Sequence, residues 1–218
     1  MENETNYLEM RKEIPEGVML LAVSKTKPYG MIESAYGDGA RNFGENRVQE
    51  IERKFPPVAE RPEGMKVHLI GQLQKNKVRK AVAISDMIES VDSMDLLLLI
   101  EKECARIERK LPVLLEFNSS GEEQKSGFRT EEELLAALEA SKSFEYVSVV
   151  GLMTVGPLGF DREKNIDAFT KTKDLYEKGK EILPLTVLSM GMSADWQDAI
   201  ACGSTEVRIG SAIFGGRA

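Results

Sequence analysis

The feature that most constrains this chain is an alternation. Eight short β-rich runs, at 18–23, 41–44, 66–70, 87–91, 112–117, 147–153, 185–190 and 206–210, are separated by longer amphipathic stretches. The helical stretches fall at 31–36, 46–54, 74–83, 93–110, 130–142, 163–182 and 194–202, with an extra one near 4–13 ahead of the first run. A strand that feeds a helix that feeds another strand is the unit of a parallel sheet. Eight such units in 218 residues predict an α/β fold, a (β/α)8 TIM barrel with an extra N-terminal helix, near the lower size limit for that architecture. A doubly wound open sheet is the alternative. No Gly/Ser-rich linker or charge block interrupts the pattern, so residues 1–218 read as a single domain.

Charge narrows the partners. Lysines and arginines number 29 against 36 acidic residues, a formal charge of −7, which argues against binding to a nucleic-acid backbone. Cys104 and Cys202 lack the spacing of a zinc or redox motif and do not make a disulfide framework, so the cytoplasm is the expected compartment. The N-terminus carries no basic start followed by an apolar stretch, and the longest apolar run, at 95–100, is too short to span a bilayer. A soluble protein with no membrane partner is expected, and the small acidic build suggests a monomer.

In such a barrel the active face lies at the carboxyl ends of the strands. After the first run comes Ser24-Lys25-Thr26-Lys27-Pro28. If the strand continues, Lys25 and Lys27 point to the same side, and crowding would disfavour their charged forms. An uncharged lysine is a nucleophile toward carbonyls; two solvated lysines at the start of a loop are the plainer alternative. Near the C-terminus, Ser193 occupies an N-cap position before a helix, while Gly210 and Ser211 end the last strand, an arrangement able to offer backbone N–H groups to an anion. Ordinary turn and capping residues would look the same. Asp195 would oppose an anion there unless it turns away. Arg208, a permanent charge inside the last strand, needs an acceptor, either a glutamate or a ligand heteroatom. Asn46 follows the second strand and either caps the next helix or lines the mouth. His68, the only histidine, reads as a packed, hydrogen-bonded residue, and no metal site or catalytic residue is assigned. The segment 121–128 reads as a charged turn near the mouth without chemistry.

The blocks "AVSKTKP", "FGENRVQE", "HLIGQLQKNK", "NSSGEEQKSGF", "GLMT" and "SMGMSADW…GSTEVRIGSAIFG", in this order from about 18 to 216, resemble the pyridoxal phosphate homeostasis protein family. Val67 departs from the family's usual aromatic before the histidine. The resemblance implies a barrel like the N-terminal domain of alanine racemase, with pyridoxal 5′-phosphate (PLP) as cofactor, held as a Schiff base by Lys25. It carries phosphate binding over to Ser193, Gly210 and Ser211, the partner of the pyridine nitrogen to Arg208, and a pocket-lining role to Asn46. Lys27 receives no bond, only a nearby cationic role that would help keep its neighbour unprotonated.

Two functions from different classes follow from this resemblance. One is a carrier or buffer in intracellular vitamin B6 homeostasis, with PLP-requiring apo-enzymes as partners. The other is a racemase-like enzyme, or a family member with an altered pocket. Racemases of the related fold take a second base from an additional β-domain, for which this sequence has no segment after the eighth run. An arginine at the ring nitrogen only donates hydrogen bonds and so weakens the electron sink. Racemases tolerate this, so the arginine disfavours transamination without excluding racemisation, and size and the missing domain favour the carrier. A barrel that acts only through a protein partner is a third reading.

Overall fold

The computed structural model describes residues 5–157, 159 and 161–216. Among them, eight parallel strands close into a barrel in sequence order: β1 (Met19–Val23), β2 (Asn42–Glu45), β3 (Lys66–Leu69), β4 (Met87–Val91), β5 (Leu111–Glu116), β6 (Val147–Met153), β7 (Val187–Met192) and β8 (Glu206–Ile209). β8 pairs back onto β1, with Leu21 opposite Arg208, so the open-sheet alternative is excluded. Each of the eight expected runs overlaps one strand. β7 starts two residues later than expected, after a turn in which the Leu185 N–H donates to the Leu183 carbonyl.

The helices are α1 (Tyr7–Glu13), α2 (Tyr29–Gly37), α3 (Val48–Lys54), α4 (Val78–Ile84), α5 (Met94–Arg106), α6 (Glu131–Ser141), α7 (Arg162–Lys180), α8 (Trp196–Ala201) and α9 (Ser211–Phe214). The expected helix at 74–83 divides into a 3-10 turn at Lys75–Lys77 and α4. α9 was not expected. α6 begins where its sequence signals place it: Thr130 accepts from the Glu133 N–H at 3.1 Å, and the Glu133 carboxylate accepts from the Thr130 N–H, a complete capping box. α5 shows how a helix joins the barrel. Leu96, Leu97, Ile100 and Cys104 form one buried stripe, and each fully buried leucine contributes about 1.5–3 kcal/mol.

Alternation along the strands separates two interiors. Leu20, Ala22, Phe43, Val67, Leu69, Ile88, Val113 and Leu115 join the helix faces in one apolar cluster. The residues between them point into the barrel, where Leu21, Leu114 and Met153 share the space with His68, Glu89, Ser189, Glu206 and Arg208. Irregular register between β5 and β6 sets Gly151 against β7. A Cβ there would sit 1.8 Å from the Val187 carbonyl oxygen, so only glycine lets the two strands approach.

The polar interior has one proton whose place can be deduced. Arg208 donates through Nη1 to Ser189 Oγ at 2.6 Å and through Nη2 to the Thr154 carbonyl at 2.7 Å. Ser189 Oγ also lies 2.9 Å from Glu89 Oε2 and 2.7 Å from Glu206 Oε1. A hydroxyl donates only once. With Arg208 as one donor to it, Ser189 can donate to one carboxylate only, so the other carboxyl must carry a hydrogen. Burial pushes Glu206 well above its ordinary value and the neighbouring Glu89 charge adds to this, so Glu206 holds the proton. Burial also pushes Glu89 up, but the hydrogen bond and charge of His68 and the charge of Arg208 outweigh it and hold Glu89 below the usual carboxylate range. His68 Nδ1 lies 2.7 Å from Glu89 Oε1, the packed and hydrogen-bonded role expected for it. One ligand-type atom each from His68, Glu89 and Glu206 lies within 4.8 Å of the others, but a guanidinium bonded to the same serine opposes a second cation there.

Gly151→Ala should lower stability by about 3 kcal/mol or prevent folding, read as a fall in the urea midpoint with an unchanged slope. Glu206→Gln should change the pH dependence of stability. A raised carboxyl binds its proton more tightly folded than unfolded, so its contribution is complete below its ordinary value of 4.5 and is lost as pH rises above it. The variant should match the parent near pH 4 and exceed it increasingly toward pH 8, by up to about 1.4 kcal/mol per pH unit. Glu45, Glu116 and Asp195 are also raised but occur in both proteins, so the difference between the two profiles isolates Glu206.

Candidate functional site

At the carboxyl ends of the strands lies a cavity of about 490 Å³. Lys25, Asn46, Ser193, Arg208, Gly210 and Ser211 all line it, together with Thr26, Lys27, Val23, Ile70, Val155 and Met192 among others. Residues from six separate strand ends, those of β1, β2, β3, β6, β7 and β8, therefore face one volume.

The two lysines reach it differently from the extended arrangement expected. β1 stops at Val23, and Ser24–Lys27 form a turn closed by the Lys27 N–H donating to the Ser24 carbonyl at 3.0 Å. Thr26 has φ 64°, a left-handed conformation that a β-branched residue adopts only under constraint. The i, i+2 crowding of an extended strand is thus absent. Lys27 is turned to donate to the Gly216 carbonyl at 2.6 Å, while Lys25 is half-buried at the cavity wall.

The constraint on the turn comes from behind it. The Thr26 N–H donates to Glu50 Oε2 at 2.8 Å, and Ser24 Oγ donates to Glu45 Oε1 at 2.7 Å. Lys54, its side chain 7% exposed, donates to the Ser24 carbonyl and lies 2.9 Å from Glu45 and 2.7 Å from Glu50. One buried ammonium from α3 thereby ties two carboxylates and the turn together. Burial raises Glu45 to about 7 against the opposing effect of Lys54 and Ser24. Burial also pushes Glu50 upward, but the hydrogen bonds from Lys54 and the Thr26 amide hold it below its usual range.

On the far wall, Ser193 is not the cap of α8. The residue preceding that helix is Asp195, and Ser193 Oγ instead accepts from the Gly210 N–H at 3.3 Å, joining the β7 and β8 loops. Gly191, at φ 92°, and the Met192–Asp195 turn carry the chain two residues further before helix starts, which displaces the expected cap. Asp195 is turned away from the cavity: Oδ1 accepts from the Met192 N–H at 2.6 Å. Burial raises its carboxyl, against the Met192 hydrogen bond and the Arg208 charge. Gly210 and Ser211 do not end β8 as expected. The strand stops at Ile209, Gly210 precedes α9 and Ser211 opens it, so the first amides of that turn lack intrahelical acceptors. A Cβ on Gly210 would sit 3.2 Å from the Val23 carbonyl, which favours glycine at this seam.

Arg208 makes no ion pair among the described residues; its acceptors are Ser189 and Thr154, and the two glutamates act on it through the serine. Asn46 does not immediately precede α3, a place taken by Arg47, but lies against the loop after β3, where a Cβ on Gly71 would approach its carbonyl oxygen to 2.3 Å. The segment 121–128 is tied back: Lys125 donates to the Gly156 carbonyl at 2.6 Å and Ser126 to Glu116 at 2.8 Å. Ser189, Thr154, Glu45 and Lys54 escaped the sequence reading. For Glu89 and Glu206 there was a signal, since each is a charge within a strand run, the same criterion that singled out Arg208.

The description "Alanine racemase, N-terminal domain" matches residues 3–218. The pyridoxal phosphate homeostasis protein of Synechocystis is 37% identical over 97% of this chain and 97% of its own length. The human protein of that name is 39% identical over 91% of this chain and 76% of its own. Among solved structures, PipY of Synechococcus elongatus, 36% identical, superposes with TM-scores of 0.89 without PLP and 0.86 with PLP bound, over 95% of this chain and 97% of that one. An alanine racemase from Clostridium difficile shares the fold at 14% identity and TM-score 0.76, and 53% of its length is covered. With its closed barrel, its strand-end cavity and its match to 97% of the Synechocystis protein, the chain belongs to the pyridoxal phosphate homeostasis protein family.

Proposed function

We propose that this protein binds pyridoxal 5′-phosphate in the cavity at the strand ends and retains it for vitamin B6 homeostasis. The observation that carries the reading is convergence. Six residues nominated from separate stretches of sequence line one cavity of about 490 Å³, a size suited to a small cofactor. The relatives named above, and PipY with PLP bound, support it.

The donor set fits the group. Lys25 would hold the cofactor's aldehyde group through its side-chain amine, a nucleophile toward carbonyls when uncharged. Ser193, Ser211 and the amides opening α9 offer donors to a phosphate across the mouth. Arg208 directs a donor-only group toward the ring nitrogen, its plane fixed by Ser189 and Thr154. When bound, the cofactor would supply an electrophilic carbon and an electron sink.

Retention is favoured over turnover. The described lining holds no histidine, cysteine, tyrosine or carboxylate that could serve as a base beside the two lysines, and Lys27 is bonded to the Gly216 carbonyl. Racemisation at Cα needs a placed base on each face. We take PLP-requiring apo-enzymes as recipients, a single chain as the working form and the cytoplasm as its compartment. No helix among the described residues is long and apolar enough to cross a membrane.

Lys25→Ala should abolish the imine absorbance and the borohydride-trapped adduct, while changing stability by less than about 0.5 kcal/mol. Retained absorbance at similar stoichiometry would move the bond to another lysine. Arg208→Gln should weaken cofactor retention about tenfold, as loss of a charge-assisted hydrogen bond would; equal affinity would make Arg208 a purely structural residue. Rapid deuterium exchange at Cα of alanine, lost in Lys25→Ala, would overturn retention in favour of racemisation.

A further inference from the structure

Much of the blocks 42–50 and 67–77 lies outside the Lys25 cavity, yet parts of both meet again in a second hollow of about 690 Å³. It lies between α3 and the loop that leads from β3 toward α4. Arg47, Arg53 and Lys77 line it, and so do the carboxamides Gln49, Gln72 and Gln74. None of these six side chains has a hydrogen-bond or ion-pair partner among the described residues. Neighbouring lysines are paired: Lys75 with Asp95, Lys80 with Glu52 and Lys54 with Glu50. Glu50, the one acidic residue of the lining, is already engaged by Lys54 and the Thr26 amide. In a chain of net charge −7, a concave surface that keeps three cations unpaired is selective for an anion.

We propose that this hollow is a second binding site, for a phosphate-bearing small molecule, distinct from the Lys25 cavity but sharing the wall formed by Asn46. Two guanidinium forks and an ammonium match a phosphate or diphosphate group, and the three carboxamides offer donors and acceptors to the polar body attached to it. Its volume falls in the range of small-ligand sites rather than of a flat protein interface. The wall is close-packed: with Gly71 against the Asn46 carbonyl, backbone forms the partition between the two volumes. Glu50 touches both neighbourhoods, lining the hollow and accepting from the amide of the turn that carries Lys25.

Calorimetric titration of the full chain with inorganic pyrophosphate, and separately with ADP, tests this. A Kd below about 1 mM is expected for at least one probe. Arg53→Gln and Lys77→Gln should each weaken it about tenfold and the double variant should abolish it. Both positions border solvent, so the urea midpoint should stay unchanged. The same dependence in Lys25→Ala would keep the site standing even if the cofactor lysine were elsewhere. Binding that is unaffected in the double variant would place the anion elsewhere on the protein and overturn the proposal. So would absence of binding up to about 10 mM. Binding of a polyglutamate peptide without either probe would overturn it too, in favour of an acidic protein partner.

Discussion

The structure depends on keeping a guanidinium inside a closed barrel, among buried carboxyl groups and a serine hydroxyl. Moving such a charge out of water costs several kcal/mol unless it is neutralised and fully hydrogen-bonded. Here the neutralisation is indirect. Ser189 stands between Arg208 and two carboxyl groups, and a proton on Glu206 leaves Glu89 as the ionised one of that pair. A direct Arg–Glu pair would draw the guanidinium down among the carboxylates. The serine, with the Thr154 carbonyl, instead lets Arg208 face the cavity at the strand ends.

A second charge arrangement does the equivalent task for Lys25 from outside the barrel. Lys54 reaches from α3 to Glu45, Glu50 and the Ser24 carbonyl, and Glu50 in turn fixes the amide of Thr26. The left-handed Thr26 is held by these contacts rather than by its own preference. Both halves of the site thus rest on groups that do not line the cavity: Ser189, Glu89 and Glu206 on one side, Glu45 and Lys54 on the other.

This division explains what the sequence disclosed. The barrel was legible because each strand run alternates with an amphipathic stretch, and periodicity is local information. The lining residues were legible because they sit just after those runs, and their roles came from the resemblance of whole blocks. What stayed hidden needed coordinates. Ser193 looks like a helix cap until Gly191 and the Met192–Asp195 turn move the helix start. Lys25 and Lys27 look like a same-side pair until Thr26 reverses the chain. Ser189 is one serine among many until three partners are found within 2.9 Å of its oxygen. Local pattern cannot show hydrogen bonds that join residues a hundred positions apart.

The seam between β1 and β8 joins the two ends of the chain, with Leu21 beside Arg208 and Ala22 beside Ile209. Lys25 lies just beyond one side of it, and Gly210 and Ser211 just beyond the other. A nascent polypeptide still lacking its eighth strand has no seam at which Lys25 and the Gly210–Ser211 turn meet in one pocket. Because such long-range contacts tend to form late, capture of a small molecule there would report that the circle has closed, and would favour the finished fold over every incomplete one.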